Sequence, residues 1–146
     1  MDTMTPQCAW DLKAQLGEGP VWAEAEQALY FVDIVGSAIH RHVPATGAQA
    51  SWKAPHRPGF LVPVADGTFM CGLQDGLHVF NPRTGHFSAQ AVVEPEQPGN
   101  RINDGYVDPR GRLWFGTMDD GETSPSGALY SVTLPADGSL RRLRQD

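Results

Sequence analysis

The chain carries the same short pattern three times along its 146 residues. Each copy is a polar turn followed by a strand rich in aromatic and aliphatic side chains, a composition typical of a buried β-strand. The three strand segments are residues 28–33, 68–72 and 113–117. Because the pattern repeats, it restricts the chain to folds that are built from similar β-units.

A second hairpin follows each of these strands. A proline stands at the start of its turn and a glycine at the end: Pro44 with Gly47, Pro82 with Gly85, and Pro135 with Gly138. Proline fixes φ at the start of a turn, and glycine accepts the positive φ that other residues resist. Four strands per unit, at a spacing of roughly 40 to 50 residues, are typical of β-propeller blades. We therefore predict an all-β chain with blade-like units at residues 15–56, 57–98 and 99–146.

Three blades are too few to close a propeller, since closed rings have about four to eight. An unclosed array leaves an unpaired sheet edge and an uncovered blade face. We therefore expect a partial propeller, truncated at its C-terminus, whose ring is completed by further sequence or by further chains. Self-association through the exposed blade edges, including the pairing of two copies into one ring, is one way to complete it.

Charge and hydropathy exclude several classes of partner. The formal net charge is -6, and no block of basic residues occurs. Nucleic acids and anionic membrane surfaces bind through positive charge, so neither is an expected partner. Residues 1–16 lack the basic and apolar regions of a signal peptide, and no apolar run is long enough to cross a membrane. These features indicate a cytoplasmic protein, in which Cys71 is expected to be a buried free thiol.

Two segments differ from the repeat and lie at the same place in their units, immediately before the first strand. They are residues 16–22 (Leu-Gly-Glu-Gly-Pro-Val-Trp) and residues 101–105 (Arg-Ile-Asn-Asp-Gly). In a propeller these positions line one mouth of the central channel. Glu18 suits a hard divalent cation, whereas Arg101 and Asn103 offer hydrogen bonds to hydroxyl or carbonyl groups. Taken singly, each residue has a simpler interpretation as a loop carboxylate, a surface charge or a turn residue.

Two histidines, His40 and His42, alternate along one predicted strand. Two imidazoles on one face could contribute to a zinc site, but the sequence offers no apparent third ligand. We favour the interpretation that both histidines face solvent.

Several segments together resemble the SMP-30/gluconolactonase family, also called regucalcin-like proteins. In the order found in the family, they are residues 16–22, 101–105, 107–112, 115–118 and 127–130. The resemblance covers nearly the whole chain, and the combination is specific although no single segment is. It implies the N-terminal half of a six-bladed β-propeller that hydrolyses sugar lactones with one catalytic divalent metal on its axis.

The resemblance also implies roles for individual residues. Glu18 matches the first metal ligand of the family, and Arg101 and Asn103 match residues that contact the substrate. The other ligands, an Asn and an Asp that is the favoured general base, come from later blades and have no counterpart before Asp146. No catalytic residue is therefore assigned within the chain.

Two aspects of the implied site stay open. An acidic substrate contact often follows the Gly-Thr-Met segment in this family, and the candidates here are Asp119, Asp120 and Glu122. The cofactor is one divalent cation. The sequence does not distinguish calcium, zinc, manganese and magnesium, because ligand number and geometry decide among them.

The leading hypothesis is a metal-dependent hydrolase of sugar lactones, acting by carboxylic ester hydrolysis, of which this chain is an incomplete and inactive portion. Divalent oxygen sites need several ligands, so one carboxylate should bind a cation weakly and support no catalysis. The alternative, from another class, is a non-catalytic β-propeller that binds a metal or a protein partner. An Asn and an acidic residue at the mouth positions of later blades would favour the enzyme.

Overall fold

The computed structural model describes residues 3–134 and the backbone of residues 141–145. Within these residues, twelve β-strands form three antiparallel sheets of four strands each, and the strands of each sheet are neighbours in sequence order. Sheet 1 contains β1 (Gly17–Ala23), β2 (Ala28–Asp33), β3 (Ala38–Val43) and β4 (Ala48–Lys53). Sheet 2 contains β5 (Phe60–Pro63), β6 (Phe69–Leu73), β7 (Gly76–Asn81) and β8 (His86–Val92). Sheet 3 contains β9 (Asn100–Val107), β10 (Arg112–Asp119), β11 (Ala128–Thr133) and β12 (Arg141–Gln145).

The turns that join the third and fourth strands of sheets 1 and 2 have the predicted glycine geometry. Gly47 and Gly85 adopt φ of 74° and 72°. The N–H of each donates to a carbonyl oxygen four residues earlier, that of Val43 or Asn81, over 2.8 Å. The corresponding turn of sheet 3, predicted at 135–138, lies outside the described residues.

The sheets pack face to face through two apolar cores. Between sheets 1 and 2, the ring of Tyr30 lies 4.5 Å from that of Phe69. Between sheets 2 and 3, Phe60 lies 6.3 Å from Phe115, which stacks on Tyr130 at 5.2 Å. Alternate residues of the strands supply these side chains, because successive side chains of a strand point to opposite faces. Successive four-stranded sheets packed in this way are propeller blades, so the predicted partial β-propeller is confirmed.

The first strands of the three sheets lie side by side. β5 contacts both β1 and β9. We call the end of the molecule at which these strands begin the upper end, and it is formed by residues 17–19, 56–60 and 99–103 together with the β10–β11 connection. An apolar cavity of about 750 Å³ lies at the opposite end of the molecule. Its lining includes Val21, Val62 and Val107, which stand near the other ends of the same strands.

The N-terminal segment covers part of the free face of sheet 1. The ring of Trp10 lies 5.6 Å from that of His40 and 6.4 Å from that of His42. His40 is 6% exposed, and its Nδ1 shares a 2.7 Å hydrogen bond with the hydroxyl of Ser51. The prediction that both histidines face solvent is therefore wrong for His40, because an indole 30 residues earlier shields its strand face.

Two further features bear on the sequence predictions. Cys71 is a free and fully buried thiol, as predicted, and burial raises the pKa of this group. In the part of the chain that the structure describes, no helix has both the length and the apolar character needed to span a membrane.

Candidate functional site

The segments that carry the predicted site residues meet around Gly59, just before β5. A Cβ added at Gly59 would overlap the backbone carbonyl oxygens of Ile102 and Asn103. On the other side, a Cβ added at Gly19 would lie 3.7 Å from the carbonyl oxygen of Gly59. At Gly59 only a residue without a side chain permits this close backbone approach, whereas the distance at Gly19 is that of an ordinary van der Waals contact. The start of β5 therefore lies directly between the segment of Glu18 and that of Asn103.

The chain segment that leads to Glu18 is held in place by the carboxylate of Asp33. Asp33, at the end of β2, accepts hydrogen bonds of 2.9 Å from the backbone N–H groups of Gln15 and Leu16. A third N–H, from Gly36, donates to the same carboxylate. Burial alone would raise the pKa of Asp33, but these three hydrogen bonds hold it below its usual value. The segment before β1 is thereby tied to the second strand of the same sheet.

Glu18 itself is exposed at the upper end. The pairing of β1 with β2 is irregular between Glu18 and Val21, which is the geometry of a β-bulge. Within the described residues, the Glu18 carboxylate has no hydrogen-bond or ion-pair partner. Its oxygens are therefore available to an external ligand.

Arg101 is buried, with 5% of its surface exposed, and it is not the solvated surface charge that the residue type alone suggests. Its Nε donates to Oδ1 of Asp120 over 2.9 Å. Its Nη1 donates to Oδ1 of Asn103, also over 2.9 Å. Because a guanidinium has no acceptor, the amide oxygen of Asn103 must face it, and the amide N–H groups of this exposed residue remain available.

Of the three acidic candidates after the Gly-Thr-Met segment, Asp120 is the one that contacts Arg101. Asp119 instead accepts hydrogen bonds from the N–H and hydroxyl of Thr123 and from the N–H of Ser124. The bonds from Thr123 are the main reason that the pKa of Asp119 lies below its usual value. Glu122 is exposed and adopts φ of 55° in the same connection.

A second arginine, which the sequence reasoning missed, completes this cluster. Nη1 of Arg57 lies 2.7 Å from Oδ1 and 2.8 Å from Oδ2 of Asp120. Asp120 is thus paired with two guanidinium groups from different sheets. The signal that could have found Arg57 is its position, because it lies three residues before the first strand of sheet 2, and Glu18 and Arg101 are the second residues of the first strands of sheets 1 and 3.

A buried carboxylate supports the start of β9. Glu94 is 7% exposed and accepts hydrogen bonds from the Asn100 amide (2.8 Å), the Thr117 hydroxyl (2.9 Å) and the Tyr130 hydroxyl (2.9 Å). These bonds connect the loop after β8 to three strands of sheet 3. Asn100 is the residue before Arg101, so Glu94 holds the backbone from which the Arg101 side chain departs.

The described residues supply only part of what a divalent metal ion needs. Glu18 offers carboxylate oxygens, which hard divalent cations prefer. Among the residues that the structure describes, however, no group of three or more His, Cys, Asp or Glu side chains is arranged to hold a metal ion. Glu18 therefore fits as a single ligand, and the described residues do not complete a coordination sphere.

The architecture and the polar cluster define a partial β-propeller with a site of arginine, amide and carboxylate groups at one mouth. The sequence pattern of the SMP-30/Gluconolactonase/LRE-like region matches residues 16–146. The chain belongs to this family.

Relatives and solved structures agree with this assignment. The chain is 35% identical to the L-arabinolactonase of Azospirillum brasilense, over 91% of this chain and 44% of that protein. It is 32% identical to the 6-deoxy-6-sulfogluconolactonase of Pseudomonas putida, over 88% of this chain and 44% of that protein. The structure of the calcium-binding protein regucalcin from Agrobacterium tumefaciens superposes with a TM-score of 0.87 at 30% identity, covering 94% of this chain and 46% of that one. The family thus contains lactone-hydrolysing enzymes, and the chain spans about half the length of the relatives that it matches.

Proposed function

We propose that this chain contributes the first part of the active site of a metal-dependent sugar lactone hydrolase. The observation that carries the proposal is the meeting of the Glu18, Gly59 and Asn103 segments at one mouth of a propeller. Membership of a family that contains lactonases supports the same reaction for the complete protein. Lactone hydrolysis adds water to the ring ester, breaks the bond between the carbonyl carbon and the ring oxygen, and yields a carboxylate and a hydroxyl.

Glu18 is proposed as one ligand of a divalent cation. When bound, such a cation polarises the lactone carbonyl and stabilises the negative charge that develops on its oxygen. The exposed and unpartnered state of the Glu18 carboxylate within the described residues supports this role. Because the described residues supply no further cluster of ligands, we propose weak metal binding and no turnover by this chain alone.

Arg101 and Asn103 are proposed to hold the sugar. The amide N–H groups of Asn103 face away from Arg101 and can donate to a sugar oxygen. Nη2 of Arg101 also has no hydrogen-bond partner within the described residues and can donate to the same ligand. Both donors are preorganised, because Asp120 fixes the guanidinium and the guanidinium fixes the amide.

Calorimetric titration of the full 146-residue chain with calcium, magnesium, manganese and zinc salts tests the metal proposal. We expect dissociation constants on the order of 0.1–1 mM, as for weak oxygen sites, and loss of binding in Glu18→Gln. The control is Glu96→Gln, which removes an exposed carboxylate from the loop after β8. Metal binding that is unchanged in Glu18→Gln would overturn the role of Glu18.

We also propose that two copies of the chain can associate through exposed blade surfaces. On the face of sheet 3 that points away from sheet 2, Tyr106 is 72% exposed and Leu129 is 38% exposed. Apolar side chains on such a face favour a covering partner, which in a propeller is another blade. Sedimentation velocity between about 1 and 100 μM tests pairing of copies, because a protein–protein contact of modest size has an affinity in this range. A well-folded monomer throughout would overturn it.

A further inference from the structure

Arg57 lies at the same mouth as the proposed lactone site but has no role in it so far. It stands two residues before Gly59, around which the segments of Glu18 and Asn103 meet. Its side chain reaches from sheet 2 to the β10–β11 connection of sheet 3, where it contacts Asp120 across 63 residues of sequence.

The contacts of Arg57 leave the cluster with an excess of positive charge. Asp120 is shared by two guanidinium groups, those of Arg57 and Arg101. Within the described residues, two other carboxylates of this region, those of Glu94 and Asp119, have hydrogen-bond partners other than these arginines. Glu94 accepts from neutral donors of sheet 3, and Asp119 accepts from the turn that follows it. One carboxylate thus faces two cations in a chain whose net charge is -6.

One edge of the Arg57 guanidinium, formed by Nε and Nη2, is free to bind a ligand within the described residues. Only Nη1 is engaged, and it contacts both oxygens of Asp120. The N–H groups of Nε and Nη2, which point in parallel from the side of a guanidinium, have no partner within the described residues. This side edge matches a carboxylate, sulfonate or phosphate with two parallel hydrogen bonds. The side chain of Arg57 is 34% exposed, so a ligand can reach it.

We propose that Arg57 is a specificity-determining residue that binds an anionic substituent of the sugar, so that the site selects acidic sugar lactones over neutral ones. The lactone part of this statement rests on the proposed function, whereas anion recognition rests on the contacts of Arg57 alone. The lactone carbonyl is assigned to the cation that Glu18 is proposed to bind. The anionic group that Arg57 binds is therefore attached to a different carbon of the sugar.

The test uses the ¹⁵N-labelled full chain and three stable ligands, followed by nuclear magnetic resonance through the Nε–Hε signals of its arginines. Methyl β-D-glucuronide carries a carboxylate at C6, methyl β-D-glucoside is its neutral counterpart, and D-gluconate carries its carboxylate at C1. We expect the glucuronide to bind about tenfold more tightly than the glucoside and to shift the Arg57 signal, as one partly exposed charge-assisted contact would allow. D-Gluconate should bind no better than the glucoside.

Three variants make the test specific. Arg57→Gln should abolish the preference for the glucuronide, and Arg57→Lys should retain part of it because the charge is kept and the fork is lost. Arg83→Gln is the matched control, since it removes one exposed arginine whose Nη2 binds the carbonyl oxygen of Asp66. The preference should be unchanged in Arg83→Gln.

Several outcomes would overturn the proposal. They are equal binding of glucuronide and glucoside by the unsubstituted chain, a preference that survives Arg57→Gln, and binding of D-gluconate as tight as that of the glucuronide, which would assign Arg57 to the reaction product. If Arg57→Gln does not fold, two other results test the proposal. They are the ligand-induced shift of the Arg57 signal in the unsubstituted chain and the preference measured for Arg57→Lys. The preference should be the same with and without an added divalent metal salt, so failure of the metal proposal leaves this result intact and can be told apart from failure of the Arg57 site.

Discussion

Arg101 and Asn103 form one unit, in which a buried guanidinium orients an exposed amide through a 2.9 Å hydrogen bond from Nη1 to Oδ1. The two residues lie two positions apart on β9, and the hydrogen bond joins their side chains on one side of the strand. Asp120 fixes the guanidinium from the neighbouring connection. The direction of the Asn103 N–H groups is therefore set by the ion pair between Arg101 and Asp120.

Replacing Asn103 by aspartate separates the structural from the binding role of this residue. Asn103→Asp gives Arg101 a charged acceptor and removes both N–H donors. We expect the free energy of unfolding to stay within about 1 kcal/mol, because the new carboxylate stands at an exposed position and still accepts the hydrogen bond from Arg101. Binding of methyl β-D-glucoside should weaken by about tenfold, since one hydrogen-bonding group is lost. Urea unfolding and ligand titration measure the two effects. Unchanged ligand binding would remove Asn103 from the site.

Glu94 should be a major contributor to the stability of sheet 3. Glu94→Ala leaves the Asn100 amide and the Thr117 and Tyr130 hydroxyls without their shared acceptor. We expect a loss of about 3 kcal/mol in the free energy of unfolding, because three buried hydrogen bonds to one carboxylate are lost together. Glu94→Gln should lose less, since hydroxyls can rotate to meet an amide. The exposed Glu96→Ala is the control, and an equally small effect of both alanine substitutions would contradict the role assigned to Glu94.

Local features of the fold could be predicted from the sequence, and the contacts of the site could not. The turns at Gly47 and Gly85 follow from residues within four positions, because proline and glycine restrict the backbone directly. The pair of Arg57 with Asp120 spans 63 residues and depends on how two sheets are positioned. His40 was misjudged for a similar reason, since the alternation of β3 says nothing about the Trp10 segment that covers it. The position of the segments and the family resemblance both indicated Glu18, Arg101 and Asn103 as candidates, and neither indicated Arg57 or Glu94.

Gly59 should not tolerate a side chain. In Gly59→Ala the new methyl group would overlap the backbone carbonyl oxygens of Ile102 and Asn103, which cannot move without disturbing β9. We expect a loss of about 2–3 kcal/mol, as for overpacked positions. Gly99→Ala is the matched control, because a Cβ there would meet only the Asp119 carboxylate at 3.8 Å. Thermal or urea unfolding of the two variants measures the difference, and equal stability would show that the segments approach less closely at Gly59.

Stability should depend on pH through His40. Burial lowers the pKa of this group below 6.5, although the nearby Asp33 carboxylate opposes the shift. The unfolded chain therefore binds a proton more readily than the folded one. The stability that His40 contributes is fully present above pH 6.5 and is lost as the pH falls from there through the folded pKa. We expect the urea midpoint to decrease between pH 7.5 and pH 5.5, and to decrease less in His40→Gln. His86→Gln, which changes an exposed histidine, should behave like the unsubstituted chain.

The proposed reaction can be tested by completing the propeller with a relative. A chimera would join residues 1–146 of this chain to the remaining part of the L-arabinolactonase of Azospirillum brasilense, which aligns with this chain over 44% of its own length. We expect metal-dependent lactone hydrolysis, measured by acid release at constant pH. Glu18→Gln should lower kcat/KM by about a hundredfold, because even groups that only support a metal ligand change activity by 10- to 100-fold. Glu96→Gln serves as the control for loss of a carboxylate. A folded chimera that hydrolyses lactones equally well with and without Glu18 would show that this residue is not a metal ligand. Hydrolysis by the 146-residue chain alone would show that this chain is not an inactive portion of the enzyme.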